Sequence, residues 1–178
     1  MNIFVVGATG RVATELIKDL VADGHEVIAG ARRPEAVIDL DHVKPVLFDL
    51  HEDEETLAET IGQNVDAIYF TAGSRGKDLL QTDAYWAVKV MKAAEQLGIK
   101  RFIMLSAVYA NQPQFWKKTG IEDYQAAKFF ANEWLKHRTN LDYTILRPGI
   151  LLEAKNTFGK GIDMSDGETA IKEAISKL

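Results

Sequence analysis

The stretch that most constrains this chain lies at its start, where Asn2-Ile3-Phe4-Val5-Val6 runs into Gly7-Ala8-Thr9-Gly10 and then Arg11-Val12-Ala13. An apolar run that stops at a glycine and resumes with helical spacing predicts a strand, a tight turn and a helix start. Gly7 lets the backbone turn sharply at the strand end. Gly10 has no side chain to keep a pyrophosphate away, and small Ala13 lets the first helix pack on the strand. The helix N-terminus adds unpaired N–H groups and a partial positive charge, which suit phosphate. Glycine turns also occur without a ligand, but a Val/Ile-rich strand before this one and an amphipathic helix after it supply the context of a dinucleotide site.

The rest of the chain continues the alternation. Leu16, Ile17, Leu20 and Val21 recur at helical spacing until Asp23-Gly24. His25 to Ala29 reads as the second strand, followed by Gly30-Ala31-Arg32-Arg33-Pro34 and a short helical piece from Glu35 to Leu40. Val43 to Phe48 is the third strand. The acidic run Glu52 to Glu55 is expected to open a solvated helix, where carboxylates favour the positive end of the dipole, rather than to bind metal. Asp66 to Phe70 is a fourth strand, Thr82 to Leu97 a long helix stopped by Gly98, and Arg101 to Leu105 a fifth strand with Ser106 at its end. Ile121 to Arg138 reads as a helix and Leu141 to Leu146 as a sixth strand. The expected fold is α/β: a single domain over 1–178, with a doubly wound, mainly parallel sheet of order 3-2-1-4-5-6.

Composition narrows the function. A chain of 178 residues with 47% hydrophobic content can bury one sizeable core. A formal charge of -5 offers no basic field for nucleic acid. With no cysteines, and with His25, His42, His51 and His137 out of metal-ligand spacing, no metal site is expected. The apolar run at the start is too short for a membrane span or signal core, so a cytoplasmic protein is expected.

Ligands of parallel sheets lie outside the carboxyl ends of the strands. There an NAD site normally carries an acid after the second strand to receive the ribose hydroxyls, whereas this chain has Arg32, with Arg33 beside it. A guanidinium can hold a 2′-phosphate that a carboxylate would repel, which favours NADP(H), with NAD(H) the alternative. Arg11 can add a second positive charge. Asp49, with Leu50 beside it, can reach the adenine amino group if its loop folds over the base. The cofactor-binding candidates are thus Gly7, Thr9, Gly10, Arg11, Val12, Arg32, Arg33, Asp49 and Leu50, with Thr71, Ala72 and Gly73 at the end of the fourth strand.

Tyr124 and Lys128 stand four apart on one helix face. An ammonium near a phenol stabilises phenolate and lowers its pKa toward a useful range, and Ser106 could polarise a substrate carbonyl. With Gly7-Ala8-Thr9-Gly10, Gly98 to Ser106 and Leu141-Asp142-Tyr143-Thr144-Ile145-Leu146-Arg147-Pro148-Gly149, these residues appear in an order that resembles the atypical short-chain dehydrogenase/reductases, particularly the NAD(P)-binding group of NmrA-like and biliverdin-reductase-B-like proteins. The resemblance covers almost the whole chain. It implies a Rossmann fold, NADP(H) held by the first half, and a substrate pocket built after Ser106 and Pro148. It also implies that Lys128 contacts the nicotinamide ribose as well as serving catalysis.

Ser106 is followed by Ala107 where many family members have a second serine, and relatives usually carry a few tens of extra residues near Lys155-Asn156, where this chain has a shortened or missing segment, before a closing strand like Gly161–Met164, which would be a short seventh strand, and a terminal helix like Glu168 to Leu178. The activity expected is hydride transfer to or from a small carbonyl, quinone or flavin-like acceptor, with Ser106, Tyr124 and Lys128 catalytic. The alternative is a non-catalytic NADP(H) sensor of the NmrA type that contacts another protein. A sugar-nucleotide epimerase is a third class, which usually brings a larger substrate domain. Monomer and homodimer are both compatible with the sequence.

Overall fold

In the computed structural model, which describes residues 1–149, six strands form one sheet: β1 (Asn2–Val6), β2 (Glu26–Ala31), β3 (Val43–Leu47), β4 (Ala67–Phe70), β5 (Arg101–Leu105) and β6 (Asp142–Leu146). Their order is 3-2-1-4-5-6 and every neighbouring pair is parallel. This is the expected Rossmann arrangement. The chain reverses direction across the sheet between β1 and β4, which opens a crevice at their carboxyl ends. The seventh strand, the terminal helix expected from Glu168 to Leu178 and the Lys155-Asn156 junction lie outside the described residues.

The strands' two-residue period builds two cores from one sheet. Phe4 and Val6 join Phe70, Phe102 and Met104 beneath α2 (Glu54–Ile61), α3 (Trp86–Gln96) and α5 (Glu122–Arg138). Ile3 and Val5 point the other way, to Ala13, Ile17 and Leu20 of α1 (Arg11–Ala22). Covering both faces explains why the inner strands carry consecutive apolar residues, as in Ile3–Val6 of β1 and Phe102–Leu105 of β5, rather than alternating ones. At the sheet's edge β3 tolerates Pro45, whose missing N–H interrupts no inner ladder.

Two segments depart from the sequence reading. The helix expected from Glu35 to Leu40 is a single 3-10 turn, Pro34–Ala36, after which Val37 is extended. The helix expected from Thr82 begins earlier and with different geometry, because Leu79–Tyr85 is π-helical before α3 takes over. Residue propensity does not separate the two bonding patterns; here the wider turn accompanies the burial of a charged side chain, Asp83, toward α5. A short α4 (Trp116–Thr119) precedes α5. The acidic run behaves as expected: Asp53 caps α2 by accepting from the Thr56 N–H at 2.8 Å, with Glu54 and Glu55 in the first turn.

Candidate active site

The turn after β1 is held by its own backbone. Gly7 and Ala8 both donate to the Gly30 carbonyl, at 3.0 and 3.1 Å, and Gly10 donates to Gly7 at 2.9 Å. Gly7 has φ +82, and a Cβ there would stand 2.8 Å from Ala72 Cα, so it serves both the turn and the close approach of the segment after β4. Gly10 is ordinary in conformation, with φ -74 and ψ 152, and caps α1 without any side-chain hydrogen bond. The first turn of α1 holds no acid either, unlike those of α2 and α5. Its positive end is thus left for a ligand.

A cleft of about 950 Å³ opens over this turn. Of the cofactor-binding candidates, Gly7, Thr9, Gly10, Arg11, Val12, Arg32, Arg33, Leu50, Thr71, Ala72 and Gly73 line it. Thr71 is tied to the end of β1 by two bonds to the Val6 carbonyl, from its hydroxyl at 2.7 Å and its N–H at 3.0 Å. Arg32 and Arg33 are exposed. Asp49 does not reach the lining: its carboxylate accepts from the His51 ring at 2.6 Å and the His51 N–H at 3.1 Å. Burial works to raise its pKa, but those hydrogen bonds and the charges of His51 and Arg32 hold it below the usual aspartate value. His51 lines the cleft in its place, edge-on to Trp86 with ring centroids 4.5 Å apart. Phe48, Leu50 and Trp86 with the His51 ring give this part of the lining aromatic and apolar surface of the kind a base can pack on.

The far end contains the catalytic candidates in a different relation from the one expected. Tyr124 lines the cleft, whereas Ser106 and Lys128 lie beneath the lining, 3% and 2% exposed. Lys128 Nζ faces Asp83 Oδ1 at 3.2 Å and donates to the Leu105 carbonyl at 3.3 Å. Burial pushes the Lys128 pKa down, and the Asp83 carboxylate works against that. The ammonium is 5.6 Å from the Tyr124 ring centroid. The expected lowering of the phenol's pKa does not occur: burial first, and the Asp83 charge second, push Tyr124 up to about 12. The Ser106 N–H donates to the Leu146 carbonyl at 2.7 Å, while its buried hydroxyl has no hydrogen-bond partner among the described residues. Such an orphan is costly unless something else satisfies it.

Sequence reasoning missed Asp83, the fully buried carboxylate that lines the cleft and accepts from Ser74 Oγ at 2.5 Å and Ser74 N at 3.2 Å. No motif announces it, since Thr82-Asp83-Ala84 looks like an ordinary helix start. Its one available signal is a charge among apolar residues at inward-facing positions, which Lys89 on the same helical run shares. Ser74 and His51 were missed for the same want of a pattern. The half-buried aromatics Phe115 and Trp116 pack locally, on Tyr109 and Phe129, and are not part of the lining. Among the described residues no group of three or more His, Cys, Asp or Glu could hold a metal, and no helix is long and apolar enough to cross a membrane.

Comparison with known proteins matches this geometry. The model of a family described as NAD(P)H-binding matches residues 7–177. An uncharacterized sugar epimerase of Bacillus subtilis, YhfK, is 32% identical in an alignment that spans all of both chains. The crystal structure of the oxidoreductase YlbE from Lactococcus lactis is 44% identical with a TM-score of 0.84, covering 88% of this chain and 73% of that one. A putative NAD-dependent epimerase/dehydratase from Bacillus halodurans is 36% identical, with a TM-score of 0.77, over 88% and 74%.

Proposed function

The chain belongs to the NAD(P)H-binding family, and on that premise we propose that it is an NADP(H)-dependent oxidoreductase transferring hydride to or from a small carbonyl, quinone or flavin-like acceptor. The continuity of the cleft carries this reading, because one space is lined by the uncapped start of α1, by Arg32 after β2 and by Tyr124 on α5. The residues present fit a phosphorylated dinucleotide. The α1 amides and Gly10 would take the pyrophosphate, Arg32 with Arg33 or Arg11 the 2′-phosphate, and the Phe48, Leu50, His51 and Trp86 end the adenine. NADPH would supply the hydride.

The chain's own groups then manage the proton. Tyr124, held protonated far above neutrality, is a proton donor: as hydride reaches a carbonyl carbon, the C=O electron pair moves to oxygen and takes the phenol's proton. Solvent reprotonates the phenolate. The Ser106 hydroxyl, without a partner among the described residues, would donate a hydrogen bond to that oxygen if the acceptor reaches it. Asp83 holds Lys128 in place, with its other oxygen taken by Ser74.

The Asp83–Lys128 pair also favours a second reading, an NADP(H) sensor without turnover, because it withdraws the ammonium from phenolate stabilisation. Titration with NADPH and NADH, followed by quinones, flavins and small aldehydes with wild type and Tyr124→Phe, separates them. NADPH-dependent turnover that falls at least about tenfold in Tyr124→Phe supports the enzyme. Tight NADPH binding with no turnover of any acceptor supports the sensor, and NADH binding as tightly as NADPH removes the role given to Arg32.

A further inference from the structure

Lys89, on α3, is 6% exposed and spends its ammonium on two main-chain oxygens far away in sequence: Leu50 and Glu52, both at 2.6 Å. Burial lowers its pKa against the opposing charges of Glu54, Asp53, Asp49 and Glu52. A lysine is an expensive group to place there, since a buried ammonium loses hydration that two neutral carbonyls restore only in part. The carbonyls it grips flank His51, the residue whose ring lines the cleft. Trp86 lies one helical turn before Lys89 on the same face and meets the His51 ring. Asp49 holds that ring from its other side, and the Glu52 N–H closes the loop onto the Asp49 carbonyl at 3.1 Å.

We propose that Lys89 is a positioning residue for the adenine half of the cofactor, fixing from inside the fold the loop of Leu50 and His51 against which the base lies. The proposal rests on the NADP(H) reading above. Lys89 does not line the cleft; it acts through the loop. A loop of this kind would otherwise sample several conformations, and binding would have to select one, which lowers apparent affinity by the populated fraction. A merely structural tie between α3 and the loop would lower stability without regard to which half of a ligand is bound.

The test titrates wild type, Lys89→Met and Lys89→Gln with NADPH, with 2′,5′-ADP as the adenine half, and with reduced nicotinamide mononucleotide as the other half. Lys89→Met should weaken NADPH and 2′,5′-ADP by the same factor, about tenfold, and leave the mononucleotide within about twofold. Lys89→Gln keeps a donor without the charge and should lose less; it also serves if the methionine variant fails to fold. Unchanged NADPH affinity, or equal weakening of both halves, overturns the proposal. A wild-type protein that binds neither NADPH nor 2′,5′-ADP instead overturns the cofactor reading itself.

Discussion

At the scale of single residues, charge decides more than identity. Arg32 lines the cleft at the end of β2, where its guanidinium can make two charge-assisted bonds to a 2′-phosphate. Arg32→Ala should therefore raise the Kd for NADPH by about 10–100-fold and change that for NADH less than about twofold, as measured by fluorescence titration. Tyr124 gives a prediction with a definite sign. Its pKa is raised from the ordinary 10.0 to about 12 in the folded chain, so the unfolded phenol loses its proton first. Its contribution, about 2–3 kcal/mol at most, is full below pH 10 and disappears as the pH climbs to about 12. Urea unfolding of wild type and Tyr124→Phe should show the stability gap shrinking over that window. A gap constant with pH would mean that the phenol is not buried beside Asp83. Replacing Asp83 by Asn should move the same window downward, because the carboxylate that opposes phenolate is gone and Lys128 is left facing the ring.

Among elements, the β1 turn shows how two glycines of one motif can do different work. Gly7 needs its left-handed φ and its missing Cβ, which would sit 2.8 Å from Ala72, so Gly7→Ala should cost about 2–4 kcal/mol of stability. Gly10 has an ordinary φ, and a Cβ there would meet the Gly7 carbonyl oxygen at 3.1 Å and Ala13 Cβ at 4.0 Å. Gly10→Ala should cost under about 1 kcal/mol in urea unfolding yet weaken NADPH about tenfold or more, because its methyl faces the phosphates. Equal stability losses would contradict this division. That turn and the helix carrying Tyr124 and Lys128 were legible because period and turn chemistry are local, and the strand order was legible through the fold class that alternating strands and helices imply. The π-helical stretch over Leu79–Tyr85 was not, since nothing in Leu-Leu-Gln-Thr-Asp-Ala-Tyr distinguishes it from an α-helix. What Lys128 faces was equally hidden: Asp83 lies 45 positions earlier, and only tertiary packing makes it the lysine's partner. The same holds for Asp49, legible as a strand-end acid, whose choice of His51 over the cleft depends on a side-chain rotamer.

At the scale of the molecule, the cleft straddles the seam on which both cores depend. Phe4 and Val6 belong to one core, Ile3 and Val5 to the other, and all four are on β1, which ends at Gly7 in the cleft. Neither face of the sheet can lose its packing while the other keeps it, so unfolding should be one cooperative step. Anything that binds in the cleft and not to the unfolded chain then stabilises the whole. NADPH at about 100 times its Kd should contribute about 2.7 kcal/mol, raising the thermal midpoint by about 5–10 °C for a domain of this size. NADH bound tenfold more weakly, at the same concentration, should contribute about 1.4 kcal/mol and move the midpoint about half as far. Arg32→Ala should bring the NADPH shift down to the NADH value or below it, leaving the NADH shift unchanged. Scanning calorimetry reads both parts at once. Two transitions, only one of them moved by cofactor, would divide a chain that the shared strand makes indivisible, and equal shifts with the two cofactors would leave Arg32 without its phosphate.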